Sequence, residues 1–103
     1  MDDTLRRIKR AVLAGNYRIT LKAELEMYAD DLDERDVVES ILCAAQIYKT
    51  IRSISPGRKG RREYLHIIVS GSLDGTLVYT KGKLVQEQGV EIYYVFVSAK
   101  RPI

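Results

Sequence analysis

The sequence predicts an α+β domain in which three N-terminal helices pack on one face of a four-stranded, mainly antiparallel sheet. Apolar residues recur every three to four positions as far as Ala45, the period of an amphipathic helix. Beyond Ala45, short runs rich in β-branched and aromatic residues take over, which is the composition of strands. Between two of those runs stands Asp74-Gly75, a tight-hairpin signal that makes the strands on either side antiparallel. The 103 residues have room for one core, so residues 1–103 form a single domain.

The first helix runs from Asp3 to Ala14, with Leu5, Ile8 and Val12 on one side and Arg6, Arg7, Lys9 and Arg10 between them. Gly15-Asn16 ends it. Thr20 can cap a second helix that carries Leu21, Leu25 and Tyr28 on one side. Asp33 can cap a third with Val37, Val38, Ile41, Leu42 and Ala45 buried. Each cap residue has a side-chain oxygen for a free amide of the first turn, and each precedes a periodic apolar run.

The strands follow as QIYKTIRS, REYLHIIVS, GTLVYTKG and VEIYYVFVSA, with a longer polar connection over Gly82–Gly89. Alternation assigns their faces. In the second strand Leu65, Ile67 and Val69 make the apolar set, which leaves Tyr64, His66 and Ser70 on the open face. In the last, Tyr93, Val95 and Val97 make the better core set and Tyr94, Phe96, Ser98 and Lys100 look outward. The two sides of the third strand are too alike to separate, but Tyr79 and Lys81 share one of them.

Composition narrows the function. Cys43 stands alone, so no internal disulfide or cysteine metal cluster forms within one chain; in an apolar helical stretch it reads as inert packing. The single histidine, and the absence of HExxH or calcium-loop spacing, argue against a metal site. With neither GxGxxG nor a Walker A motif, no nucleotide cofactor is expected. No apolar run is long enough to span a membrane, and MDDTLRRIKR lacks the apolar segment of a secretory signal, so a cytoplasmic location is expected.

The net charge of +3 hides an asymmetry. Residues 1–45 hold 7 Lys/Arg against 10 Asp/Glu, and residues 46–103 hold 10 against 4, giving −3 and +6. A basic C-terminal part faces a polyanion, whereas the acidic helices face water or a basic partner. The cations cluster in RSISPGRKGRREYLH and in the strands: Lys49, Arg52, Arg58, Lys59, Arg61, Arg62, Lys81 and Lys100, with His66, Tyr64, Tyr79 and Tyr94 among them. Phosphates pair with Arg and Lys, and unstacked bases lie on tyrosine rings, so RNA is the expected ligand. The same residue types support metal-free cleavage, in which a 2′-hydroxyl attacks the adjacent phosphorus. That reaction needs a base, cations for the pentacoordinate transition state and an acid for the leaving 5′-oxygen. His66 is the side chain whose unperturbed pKa lies near neutrality, and a lysine among other cations is a second kind of base.

The stretch IKRAVLAGNYRITLKAELEMYADDLDERDVVESIL resembles the helical half of the MqsR-type mRNA interferase toxins and of a related bacterial domain family of unknown function. The likeness continues in QIYKTI, which is similar to a strand-borne Y-K-S motif, in LVYTKG and in VFVSAKR. It implies a RelE-like fold and metal-independent mRNA cleavage without a cofactor. Carried over by motif, it points to Lys49, Tyr79 and Lys100 as catalytic. The toxins' polar glutamine has no counterpart; Arg61, Arg62 or His66 stands nearest that role. Lys22 also departs from the related family, where histidine is common. The resemblance further implies a cognate antitoxin, for the MqsR type a zinc-containing and DNA-binding one. The rival readings are a module that binds RNA or DNA without cutting it, and a protein-interaction or regulatory domain.

Overall fold

A computed structural model gives the arrangement of residues 3–52, 63–87 and 91–103, the side chains of Glu87 and Glu91 excepted. Arg58, Lys59, Arg61 and Arg62, expected to grip phosphates, lie outside the described residues. The chain is α+β, with three helices, α1 (Asp3–Leu13), α2 (Leu21–Ala29) and α3 (Glu34–Leu42). Its strands are β1 (Tyr17–Ile19), β2 (Lys49–Arg52), β3 (Tyr64–Gly71), β4 (Leu77–Glu87) and β5 (Glu91–Lys100).

The helices begin where their caps place them. Thr20 accepts from the Ala23 amide at 3.1 Å. Asp33 accepts from the Asp36 amide, and Asp36 in turn accepts from the Asp33 amide, a reciprocal capping box. The stop at Gly15 is local too, since its φ of +80° costs least for glycine. Lys9 Nζ donates to the carbonyls of Leu42 and Ala44, satisfying acceptors at the end of α3 and tying α1 to it.

The sheet departs from the expectation in two ways. It has five strands, in the order β1-β5-β4-β3-β2. The extra strand is Tyr17–Ile19, which runs parallel to β5, while the other neighbours are antiparallel. Three residues between two helices are too few to show a period, and their pairing depends on a partner 77 positions away (Tyr17 with Tyr94). The expected polar connection over Gly82–Gly89 is also mostly strand, because β4 continues to Glu87. The hairpin at Asp74-Gly75 is present: Ser72 N–H donates to the Thr76 carbonyl, and Gly75 takes a φ of +88°.

One core joins Leu5, Ile8 and Val12 of α1, Ala23 and Met27 of α2, and Val37 and Ile41 of α3 to Ile68, Val78, Tyr94, Phe96 and Ala99 of the sheet. The face assignments of β3 and β5 are therefore corrected. Ile68 points inward, and with it the parity of Tyr64 and His66; Tyr94 and Phe96 are fully buried. Leu65, Ile67, Val69, Tyr93 and Val95 take the opposite side. Both parities of β5 are apolar, so its sequence could not choose; volume does. A Cβ on Gly82 would sit 2.5 Å from the Tyr94 ring, so the missing side chain makes room for that ring on the helix side. In α2 and α3 the buried positions also differ, because Leu21, Leu25, Tyr28, Cys43 and Ala45 are exposed and Ala23, Met27 and Ala44 are buried instead.

Beyond its short pairing with β1, the outer edge of β5 is covered by α2. Glu26 accepts from Ala99 N–H at 3.1 Å and from Ser98 Oγ at 2.6 Å, and Asp30 accepts from Arg101 N–H at 2.7 Å. Four residues of helix rise about 6 Å, close to the ~6.8 Å between alternate strand amides. Carboxylates at i and i+4 thus satisfy an edge that would otherwise invite another strand.

Candidate nucleic-acid interface

The side of the sheet away from the helices is uncovered by any described helix. Strand register builds it in rows. Lys49 of β2, Ile67 of β3 and Lys81 of β4 lie opposite one another in one row. Val69, Tyr79 and Lys100 form the next. On the other flank come Ile51, Leu65, Lys83, Val95 and Arg18. Thus Lys49, Tyr79, Lys81 and Lys100 share one face.

Lys100 reaches that face because β5 carries one extra residue. Gly82 pairs with Phe96 and Lys81 with Ser98, which leaves Val97 bulged out of the ladder. Without the bulge, Lys100 would follow Tyr94 and Phe96 to the helix side. With it, Ala99 pairs with Thr80 in the core and Lys100 stands opposite Tyr79, its Nζ 5.5 Å from the ring centroid. An ammonium at that distance from an aromatic face is held by the ring quadrupole.

The two ends of the face differ in charge. Among the described residues no carboxylate pairs with Lys49, Lys81 or Lys100. At the other end Lys83 is neutralised by Glu63 at 2.6 Å, and the Arg18 guanidinium lies over the Tyr93 ring at 4.7 Å. Between them Leu65, Ile67 and Val95 form a half-buried apolar floor. The unpaired cations therefore gather around Tyr79.

The remaining expected residues lie on the other side. His66 is 9% exposed, and its Nδ1 is 3.0 Å from Thr50 Oγ1 in the next strand. Arg52 and Tyr64 are cross-strand partners on that same side and are exposed. Tyr64 and His66, with Thr4 and Arg7 of α1, line a concave end of the sheet that continues round to Lys83, Val85 and Tyr93. Tyr94 is 0% exposed and cannot stack on a base from its place beneath the helices; burial raises its hydroxyl well above the usual tyrosine range. Its ring instead meets Phe96 edge to face at 5.1 Å. No family model, curated protein or solved structure matches this chain.

Sequence reasoning did not find Arg18, because a lone arginine between two helices carries no strand signal. Its partner Tyr93 was assigned to the core. Among the described residues no group of three His, Cys, Asp or Glu is placed to hold a metal ion. No helix among them is long and apolar enough to cross a membrane.

Proposed function

We propose that the chain is a metal-independent endoribonuclease that cleaves mRNA on the uncovered sheet face, the toxin of a type II toxin–antitoxin pair with a RelE-like fold. The observation that supports it is the convergence of Tyr79, Lys81 and Lys100 on neighbouring positions of two strands, with Lys49 on the same face.

In this reading Lys81 and Lys100 hold the non-bridging oxygens of the scissile phosphate and offset the negative charge that grows in the transition state. The Tyr79 phenol is within reach of the same phosphate and orients the attacking 2′-hydroxyl or protonates the leaving 5′-oxygen. The new bond joins the 2′-oxygen to phosphorus as the bond to the 5′-oxygen breaks. The hydroxyl proton passes to a base on the protein and the leaving oxygen takes one up, giving a 2′,3′-cyclic phosphate and a 5′-hydroxyl. Lys49 contacts a flanking phosphate. A cognate antitoxin would block this face or hold it from the ribosome.

A second reading, an RNA-binding module without cleavage, has one observation in its favour. Lys49 and Lys100 stand three strands and one row apart, roughly 16 Å between backbones, a spacing that suits successive phosphates of one strand. Incubation of a single-stranded RNA with the protein in EDTA, with product ends read by mass spectrometry, distinguishes the two. Cyclic-phosphate ends that disappear in Lys100→Ala and Tyr79→Phe establish the nuclease. RNA that is retained intact, with affinity falling steeply as salt rises, establishes the binding module. An absence of binding at low salt refutes both.

A further inference from the structure

Helix α2 is apolar on two sides. Its inner side buries Ala23 and Met27, and Glu26 and Asp30 fasten it to the edge of β5. Its outer side carries Leu21, Leu25 and Tyr28, which are 70%, 61% and 87% exposed. Positions i, i+4 and i+7 form one continuous stripe along a helix. An apolar stripe on a helix needs a covering surface, and nothing among the described residues covers this one. Three such side chains expose on the order of 400 Å² of surface, the size of the largest apolar patch on a typical monomer, which is often functional.

The surroundings select the occupant. Residues 20–39 contain eight acids and two bases. Both bases already have partners: Lys22 meets Glu26 at 3.1 Å, and Arg35 meets Glu39 at 4.0 Å. Glu24 flanks the stripe and Asp31 follows it, both exposed and without an ion-pair partner among the described residues. Such a field repels RNA. A second copy docked about a two-fold axis fits poorly as well. Antiparallel α2 helices would match Leu21 to Tyr28 and Leu25 to Leu25, but the same symmetry sets the Glu24 flank of one against the Glu24 flank of the other.

We propose that the Leu21–Leu25–Tyr28 stripe docks a basic amphipathic helix of a partner protein. The partner's apolar side chains interleave with these three while its Lys or Arg residues meet Glu24 and Asp31. Because α2 is pinned to the sheet at both Glu26 and Asp30, little ordering is needed on binding. Nothing in this docking depends on RNA chemistry.

The test uses the full chain and three fluorescent synthetic peptides: a Leu/Lys amphipathic helix, a scrambled Leu/Lys peptide of the same composition, and a Leu/Glu amphipathic helix. Anisotropy at physiological salt should show the amphipathic Leu/Lys peptide binding at least tenfold tighter than either control. The double variant Leu25→Ser/Tyr28→Ser, which keeps every charge, should lose at least tenfold, and Glu24→Lys/Asp31→Lys should shift preference toward the Leu/Glu peptide. All these positions are exposed, so circular dichroism should match the parent, and melting should too except for a small drop from Asp31→Lys, because residue 31 holds a φ of +56° that suits aspartate better than lysine. Equal binding of the scrambled peptide, binding indifferent to the double variant, or no binding at all overturns the proposal. So does a micromolar dimer in sedimentation velocity that Leu25→Ser abolishes, since a second copy would then cover the stripe.

Discussion

The ring of Tyr94 lies directly over the backbone of Gly82 in the adjacent strand, so close that a Cβ there would come 2.5 Å from two ring carbons and 2.6 Å from the hydroxyl oxygen. Tyr94 is itself fully buried and cannot swing clear. Gly82→Ala should therefore lower stability by about 2–3 kcal/mol, the range for forcing atoms into a packed core. Urea unfolding with an unchanged m-value measures it; a loss below about 0.5 kcal/mol would mean that the ring yields.

The Tyr94 hydroxyl is buried without a hydrogen-bond partner among the described residues. Leaving a polar group unsatisfied costs about 1–3 kcal/mol, so Tyr94→Phe should be neutral or stabilising by up to roughly that amount. RNA affinity should not change, because the ring is out of reach. Destabilisation by more than about 1 kcal/mol would reveal a partner for the hydroxyl.

Lys100 and Tyr79 face the same side only because Val97 is bulged. If this face binds RNA, Lys49→Ala, Lys81→Ala and Lys100→Ala should each reduce the slope of log affinity against log salt by about one. Tyr79→Ala should cost about 1–3 kcal/mol of binding through lost stacking. Lys22→Ala, on the acidic helix, serves as the control and should leave the slope as it is. Equal losses from Lys22 and Lys100 would show that only net charge matters.

Burial alone would raise the Glu26 carboxyl, but hydrogen bonds from Ser98, Lys22 and the Ala99 amide outweigh it and hold the group below its ordinary value. A lowered folded pKa means stability that is present above the unfolded value and lost as pH falls through the folded one. Between about pH 5 and 3, the parent should lose stability faster than Glu26→Gln, whose amide oxygen still accepts but does not titrate there. Parallel pH profiles in urea would contradict this account of the β5 edge.

The Tyr17 hydroxyl donates to Glu34 of α3. That hydrogen bond, with some burial and the nearby negative charge, pushes the phenol up to about 12. A raised folded pKa contributes stability that is complete below the unfolded value and disappears as pH rises through the folded one. The advantage of the parent over Tyr17→Phe should accordingly be constant at neutral pH and shrink between about pH 10 and 12. Absorbance of tyrosinate at 295 nm should show Tyr17 ionising at lower pH in Glu34→Ala, which removes both the acceptor and the charge; an unchanged titration would contradict this account.

Three helices, the caps of α2 and α3, the stop of α1, the Asp74-Gly75 hairpin and the basic strand half were legible in the sequence because each depends on residues within a few positions. Thr20 and Asp33 bind amides three residues on, and Gly15 and Gly75 adopt their φ values wherever the chain goes next. Which side of a strand or helix is buried is another kind of fact. Leu65, Ile67 and Val69 are the more apolar side of β3, yet the core takes Ile68, since the slot over Gly82 fixes Tyr94 inward and register then fixes its neighbours. The bulge at Val97 returned Lys100 to the open face after the parity that had pointed it there proved inverted. Likewise the Leu21–Leu25–Tyr28 stripe reads as core by period, and only the docking of α2 through Ala23 and Met27 leaves it outside. Local hydrogen bonding determined the elements; long-range volume and register decided what each of them shows to the outside.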